Sequence, residues 1–133
     1  MPTANEKSIW TESFKAGGDL RTKQYRAVKL TANRTVSVFD TVTEVPVGIL
    51  LNAPNTGEEA LVCVVGRCPV VLGGTVATHA LICFGVNALA KAFVATTDTT
   101  KYCAGRLLRG GAINNMGMAM IQCAVPRKGD AVT

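Results

Sequence analysis

One histidine, five cysteines and one adjacent pair of glutamates are the residues of this 133-residue chain from which metal, thiol or acid–base chemistry would have to be built. Cys63, Cys68, Cys83, Cys103 and Cys123 are odd in number, irregularly spaced and free of any C-x-x-C pair, and His79 is the only imidazole that could join them. That pattern makes a poor zinc site and a poor disulfide framework. Cys63, Cys83 and Cys123 sit inside apolar runs, where a reduced thiol behaves as a small hydrophobe. Cys68 stands beside Pro69, at an expected strand break. His79 follows Thr78 in a turn-like stretch without an acid or base partner motif, so it is expected at a surface or strand end. Gly85-Val86-Asn87 supplies no nucleophile for a G-x-S-x-G elbow, and Gly17-Gly18 and Gly73-Gly74 lack the Lys-Ser/Thr of a phosphate loop. Glu58-Glu59, adjacent in a predicted hairpin loop, send their side chains in opposite directions, which suits solvation. The chain is expected to be no enzyme, with no catalytic, cofactor-binding or metal site.

The elements that would have to position any site come in two similar sets. Gly48-Ile49-Leu50-Leu51-Asn52 leads through Asn55-Thr56-Gly57-Glu58 into Ala60-Leu61-Val62-Cys63-Val64-Val65. Gly105-Arg106-Leu107-Leu108-Arg109 leads through Gly110-Gly111-Ala112-Ile113-Asn114-Asn115 into the apolar run 118–125. Upstream, Ala27-Val28-Lys29-Leu30, Asn33 and Val36-Ser37-Val38-Phe39 have counterparts in Leu81-Ile82-Cys83-Phe84, Asn87 and Lys91-Ala92-Phe93-Val94. Strands are expected at about 24–30, 35–39, 47–51, 59–65, 70–72, 80–84, 91–95, 103–109 and 117–125, with a break at Gly66-Arg67-Cys68-Pro69. Asn87 to Ala92 is the one stretch whose Ala and Leu allow a helical turn. Short strands with regular turns predict an all-β fold, a small β-barrel or sandwich. Residues 1–16 form an extended N-terminal arm without a repeat, 17–125 a single β domain with pseudo-repeats at about 24–65 and 80–125, and 126–133 a short tail.

Hydrophobic content of 48% with 17% charged residues predicts a folded core, and 5% aromatics make it a core of Val, Ala, Leu and Ile. No apolar run reaches the length of a membrane-spanning helix, and no signal-type stretch follows Met1 to Lys7, so no membrane partner and synthesis in the cytoplasm are expected. A formal net charge of +5 favours something acidic as a partner. The basic residues are dispersed and aromatics are not interleaved with them, so nucleic acid, the partner of a small basic β-barrel, is the alternative reading.

Gly17-Gly18-Asp19-Leu20-Arg21-Thr22-Lys23-Gln24-Tyr25-Arg26-Ala27-Val28-Lys29-Leu30, followed by Val47-Gly48-Ile49-Leu50-Leu51-Asn52-Ala53-Pro54, resembles the tailed-phage capsid cement, or head decoration, proteins. Their pattern is a "GDL…QYR.VKL" segment, then "GVLQNAP…GE…V.V.G", then a Gly-rich stretch and a second, weaker strand set. Gly57-Glu58 and Leu61 to Gly66 fill the middle of it. Leu81-Ile82-Cys83-Phe84-Gly85 departs from it, being less polar than the family's segment. The resemblance implies a non-enzymatic homotrimer on the outer capsid surface of the virion, tying together subunits of the major capsid protein lattice. On that reading Ser8, Ile9, Trp10, Thr11 and Phe14 add a strand to a capsid sheet edge, with Ile9, Trp10 and Phe14 as anchors. Lys7, Lys15, Arg21 and Lys23 supply lattice electrostatics. The arm is then dispensable for folding of the body; a fold in which its large apolar residues return to their own barrel is the competing expectation.

Overall fold

Runs rich in valine and alanine, closed by Gly, Asn and Asp turns, favour strands over helices because β-branched side chains pack well on a pleated surface. A computed structural model describes residues 7–40, 44–93, 101–111, 115–124 and 127–128, without the side chains of 7–9, Val86 and 127–128. Val94, Asn114, Val125 and the tail other than 127–128 lie outside the described residues. Among the described residues the only helical piece is a 3-10 turn at Val86–Ala88, and everything else regular is strand.

The first five strands are β1 (Lys7–Ala16), β2 (Ala27–Ala32), β3 (Thr35–Val38), β4 (Gly48–Leu50) and β5 (Glu59–Val71). They form a closed, five-stranded mixed barrel. The ring runs β1–β3–β2–β4–β5 and returns to β1. Its one parallel contact sets Lys15 and Ala16 beside Thr35 and Val36. The closing contact is antiparallel and long, from Lys7 opposite Arg67 to Lys15 opposite Glu59. The extended N-terminal segment is therefore extended, but from Lys7 onward it is laid down as a barrel strand.

The remaining strands are β6 (Leu81–Phe84), β7 (Ala90–Ala92), β8 (Tyr102–Cys103), β9 (Gly105–Arg109), β10 (Met116–Gln122) and β11 (Arg127–Lys128). β8 and β11 pair with each other, and the others bond outside the barrel in the order β5–β10–β9–β6–β7. This second set repeats the first pair by pair. Val28 opposite Gly48 and Ala27 opposite Ile49 correspond to Ile82 opposite Gly105 and Leu81 opposite Arg106. Ile49 opposite Cys63 and Leu50 opposite Val62 correspond to Arg106 opposite Met120 and Leu107 opposite Ala119. The β2–β3 hairpin, with Val28–Val38 and Leu30–Val36, corresponds to β6–β7, with Ile82–Ala92 and Phe84–Ala90.

The repeat extends to the segment that sequence similarity leaves out. Beyond Val65, β5 runs antiparallel to β10 as β1 runs antiparallel to β5. Leu72 then makes a parallel bridge to Ala90, as Ala16 does to Val36. Gly73 N donates to Ala90 O at 2.8 Å, as Gly17 N donates to Val36 O at 2.7 Å. The C-terminal half of β5 is thus the second set's version of β1, and β5 is the last strand of one set and the first of the next. That double duty explains why Gly66-Arg67-Cys68-Pro69 does not interrupt the strand. Among the described residues β1 pairs with β5 as far as Arg67, and β10 pairs with it from Val65 through Pro69 to Val71, so the ladder continues across the proline.

Even the irregularities are shared. Tyr25 and His79 both take positive φ, 64° and 74°, and their amides donate to Leu50 O at 2.7 Å and Leu107 O at 2.8 Å. Gly48 and Gly105 both press against the neighbouring strand. A Cβ on Gly48 would lie 2.3 Å from Cys63 O, and one on Gly105 2.0 Å from Met120 O. Ala16, Val28, Val36, Leu50 and Val62 fill the barrel; a second core cluster joins Ile82, Leu107 and Ala119 to Ala27, Ile49 and Cys63 from the barrel's outer side. Phe39 and Phe84, 6.1 Å apart and edge to face, link hairpins of the two sets within that cluster.

Two outcomes test this architecture. Gly48→Ala and Gly105→Ala are each expected to cost roughly 1–3 kcal/mol in urea unfolding, because the methyl meets backbone that has to shift. Deletion of residues 1–15 is expected to abolish the cooperative thermal transition, since it opens the barrel and bares a whole edge of β5; an unchanged Tm overturns the assignment of β1 as a barrel strand.

Candidate functional site

Of the residues singled out for partner binding, Ser8, Ile9, Trp10, Thr11, Phe14 and Lys15 lie on β1, and Arg21 and Lys23 follow it. Ser8 and Ile9 lie in β1, their side chains outside the described residues. Trp10 is exposed and its indole N–H donates to Glu12 Oε1 at 3.1 Å, while Thr11 is also exposed. Phe14 is half-buried, packs against the barrel core and carries the Arg34 guanidinium 5.6 Å above its ring. Two of the expected anchors therefore do not act alike: Phe14 is half-buried against the core and Trp10 is exposed. Lys15 is exposed at the end of β1, and Arg21 and Lys23 lie in the connection to β2.

β1 uses one edge for β5. On the other edge only Lys15 and Ala16 meet β3, so residues 7–14 have no second strand partner among the described residues. Arg34 closes the near end of that edge by donating to Ser13 O at 2.6 Å and to Glu12 Oε2 at 3.2 Å. The hydrogen bonds from Trp10 and then from Arg34 hold the Glu12 carboxyl below its ordinary range. Arg21 grips Asp19 with two nitrogens at 2.9 and 2.8 Å, a fork geometry that suits guanidinium to carboxylate. Lys29 meets Glu44 and Asp40, and these carboxylates, Glu44 first, raise its pKa.

Charge is divided between the two halves of the chain. Residues 1–59 hold seven Lys and Arg against seven Asp and Glu, whereas residues 60–133 hold seven against two. The whole net charge belongs to the second half. That signal was present in the sequence, but reading cations by cluster rather than by sign balance misses it. In the same half an open groove of about 360 Å³ is lined by Val65, Gly66, Arg67, Leu108, Met120, Ile121 and Gln122.

Residues with chemical potential are used structurally. His79 is exposed and occupies the turn position equivalent to Tyr25. Four of the cysteines are buried, Cys68 included, and Cys103 is half-buried. Burial, reinforced by Cys63 and Cys103 nearby, pushes the Cys123 thiol up to about 12, far from nucleophilic use. Glu58 and Glu59 are exposed, and Glu58 Oε1 accepts from Asn55 N at 2.6 Å to close its own loop. Among the described residues no three His, Cys, Asp or Glu side chains come together as a metal site.

No family model matches the chain, and no curated protein matches it. Among solved structures it is similar to the N-terminal base of the head fiber protein gp8.5 of bacteriophage phi29, with a TM-score of 0.65 and 11% identity over 85% of this chain and 93% of that one. At that identity the likeness is one of fold.

The Asp19–Arg21 pair gives a titration that can be followed. Hydrogen bonds from the Arg21 side chain, and then from its backbone N–H, hold Asp19 at about 2 against an ordinary 3.8. A lowered folded value means that the pair supports the native turn above the ordinary value and is lost as pH falls through the lower one. In a carboxyl NMR titration Arg21→Ala is expected to return Asp19 toward 3.8.

Proposed function

We propose that this chain is a structural protein of a phage head, a non-enzymatic decoration or cement protein that binds the outer surface of the shell and ties neighbouring major capsid protein subunits together. The observation that carries this reading is the fold it shares, over most of both chains, with the base of a phage head fiber. The Gly17–Leu30 and Val47–Pro54 segments, which resemble the decoration family, support it independently. A rigid barrel whose histidine, thiols and carboxylates are spent on turns, core and loop closure suits a protein whose work is attachment.

On this reading the outer edge of β1, residues 7–14, offers its main chain to a strand of the capsid protein, with the exposed Trp10 and Thr11 beside it. Lys15, Arg21 and Lys23 lie toward the same end of the barrel strand and its following turn. A homotrimer, the expectation drawn from the family resemblance, fits an oligomer closed by rotation. The alternative, a basic β-barrel that binds nucleic acid, has the net charge in its favour and lacks a stacking platform.

Purified protein mixed with heads of the phage that encodes it is expected to co-sediment saturably with them, at a ratio to the major capsid protein that approaches one to one if trimers occupy every threefold position. Protein left wholly in the supernatant overturns the reading. A DNA mobility shift that weakens steeply with salt, in the absence of head binding, supports the alternative.

A further inference from the structure

The repeat pairs two sheet faces that differ in one respect: the first is buried and the second is open. In the first set, Ala27, Ile49 and Cys63 stand side by side across β2, β4 and β5, all at 0% exposure in the cluster shared with the second set. The same positions of the second set are Leu81, Arg106 and Met120, across β6, β9 and β10. Among the described residues nothing covers these three to the same degree: Leu81 is 37% exposed, Met120 is 55% exposed and Arg106 is exposed. Ladder partners project from one face of a sheet, so the row continues through Met120 to Arg67 on β5. Beside it Val65 stands between Gln122 and the exposed Trp10, and Leu108 and Met120 complete the groove.

We propose that this face is a docking surface for another protein whose contact patch is apolar at its centre and carries carboxylates. Charge selects the occupant. Arg106 lies in the row, Arg109 stands across from Met118 on the same ladder, and the described residues that line the groove include no carboxylate. The face is thus not self-complementary, because a twofold contact between copies would set arginine against arginine. Arginine and methionine are residues that interfaces favour, the first for planar pairing with carboxylates and the second for adaptable apolar contact. Their placement where the first set has isoleucine and cysteine turns a permanently buried face into one that is soluble alone and still able to close on a partner.

The proposal rests on the head-protein reading and adds to it a contact surface besides the outer edge of β1 and the acidic chemistry of the partner. Its test uses DNA-free heads of the encoding phage and full-length protein, with binding measured by co-sedimentation. Met120→Glu and Arg106→Glu are each expected to weaken binding about tenfold or more, with Tm unchanged because both positions are exposed. Leu30→Glu, an exposed residue of the barrel half, is expected to bind as wild type does. Retained binding by both second-half variants overturns this surface while leaving the head-protein reading intact. Wild-type protein that fails to bind overturns both. If sedimentation shows that Met120→Glu dissociates an oligomer of the free protein, the occupant is a second copy and the proposal is wrong.

Discussion

The antiparallel ladder along β5 is the contact on which the rest of the structure depends. This strand takes β1 along one edge and, in succession, β4 and β10 along the other. Removing any of the three partners leaves unpaired N–H and C=O groups beside an apolar core, where each lost hydrogen bond is costly. The barrel closes because β5 reaches β1, and the second set exists because β5 continues past the barrel. A single thirteen-residue strand thus fixes where both sets stand.

A core nearly without aromatics can support this arrangement because its two clusters interlock. Small residues such as Ala16, Ala60, Ala90 and Ala119 let backbones approach closely, and Gly48 and Gly105 do so to the point where no side chain fits. Most of the wide side chains at the centre belong to one cluster, where Phe39 and Phe84 bridge the sets. Reactive side chains find no place in that interior except as thiols. Cys63, Cys68, Cys83 and Cys123 serve there as compact apolar groups, as their positions within apolar runs imply.

Much of this was legible in the sequence because glycine and turn chemistry repeat together with the strands they bound. Gly48 and Gly105, Asn33 and Asn87, and the apolar runs after them mark the same architecture twice, and strands are observed within each expected set, although β5 runs on through the break expected at 66–69. The first strand of each set was not legible in the same way. Lys7 to Ala16 sets a few large apolar residues among polar ones without alternation, while its counterpart in β5 carries Cys, Pro and Val backed by the second core. Only Gly17-Gly18 and Gly73-Gly74 betray the correspondence, and glycine pairs are too common in turns to establish it alone. Pro69 misleads for a related reason: the ladder with β10 continues across it, so the proline does not end the strand. The surroundings of the residues expected to bind a partner were harder still to read, because exposure at Trp10 and partial burial at Phe14 follow from a bulged register that pattern does not encode.

The continuous course of β5 through both sets has a mechanical consequence. Two units joined by a loop transmit a pull across side-chain contacts, which peel apart one after another. Here a force applied to the second set travels along covalent backbone into the barrel. There it meets β1 lying alongside, with hydrogen bonds perpendicular to the strand axis that share the strain together in shear. A protein built this way is a tension member whose halves resist being pulled apart.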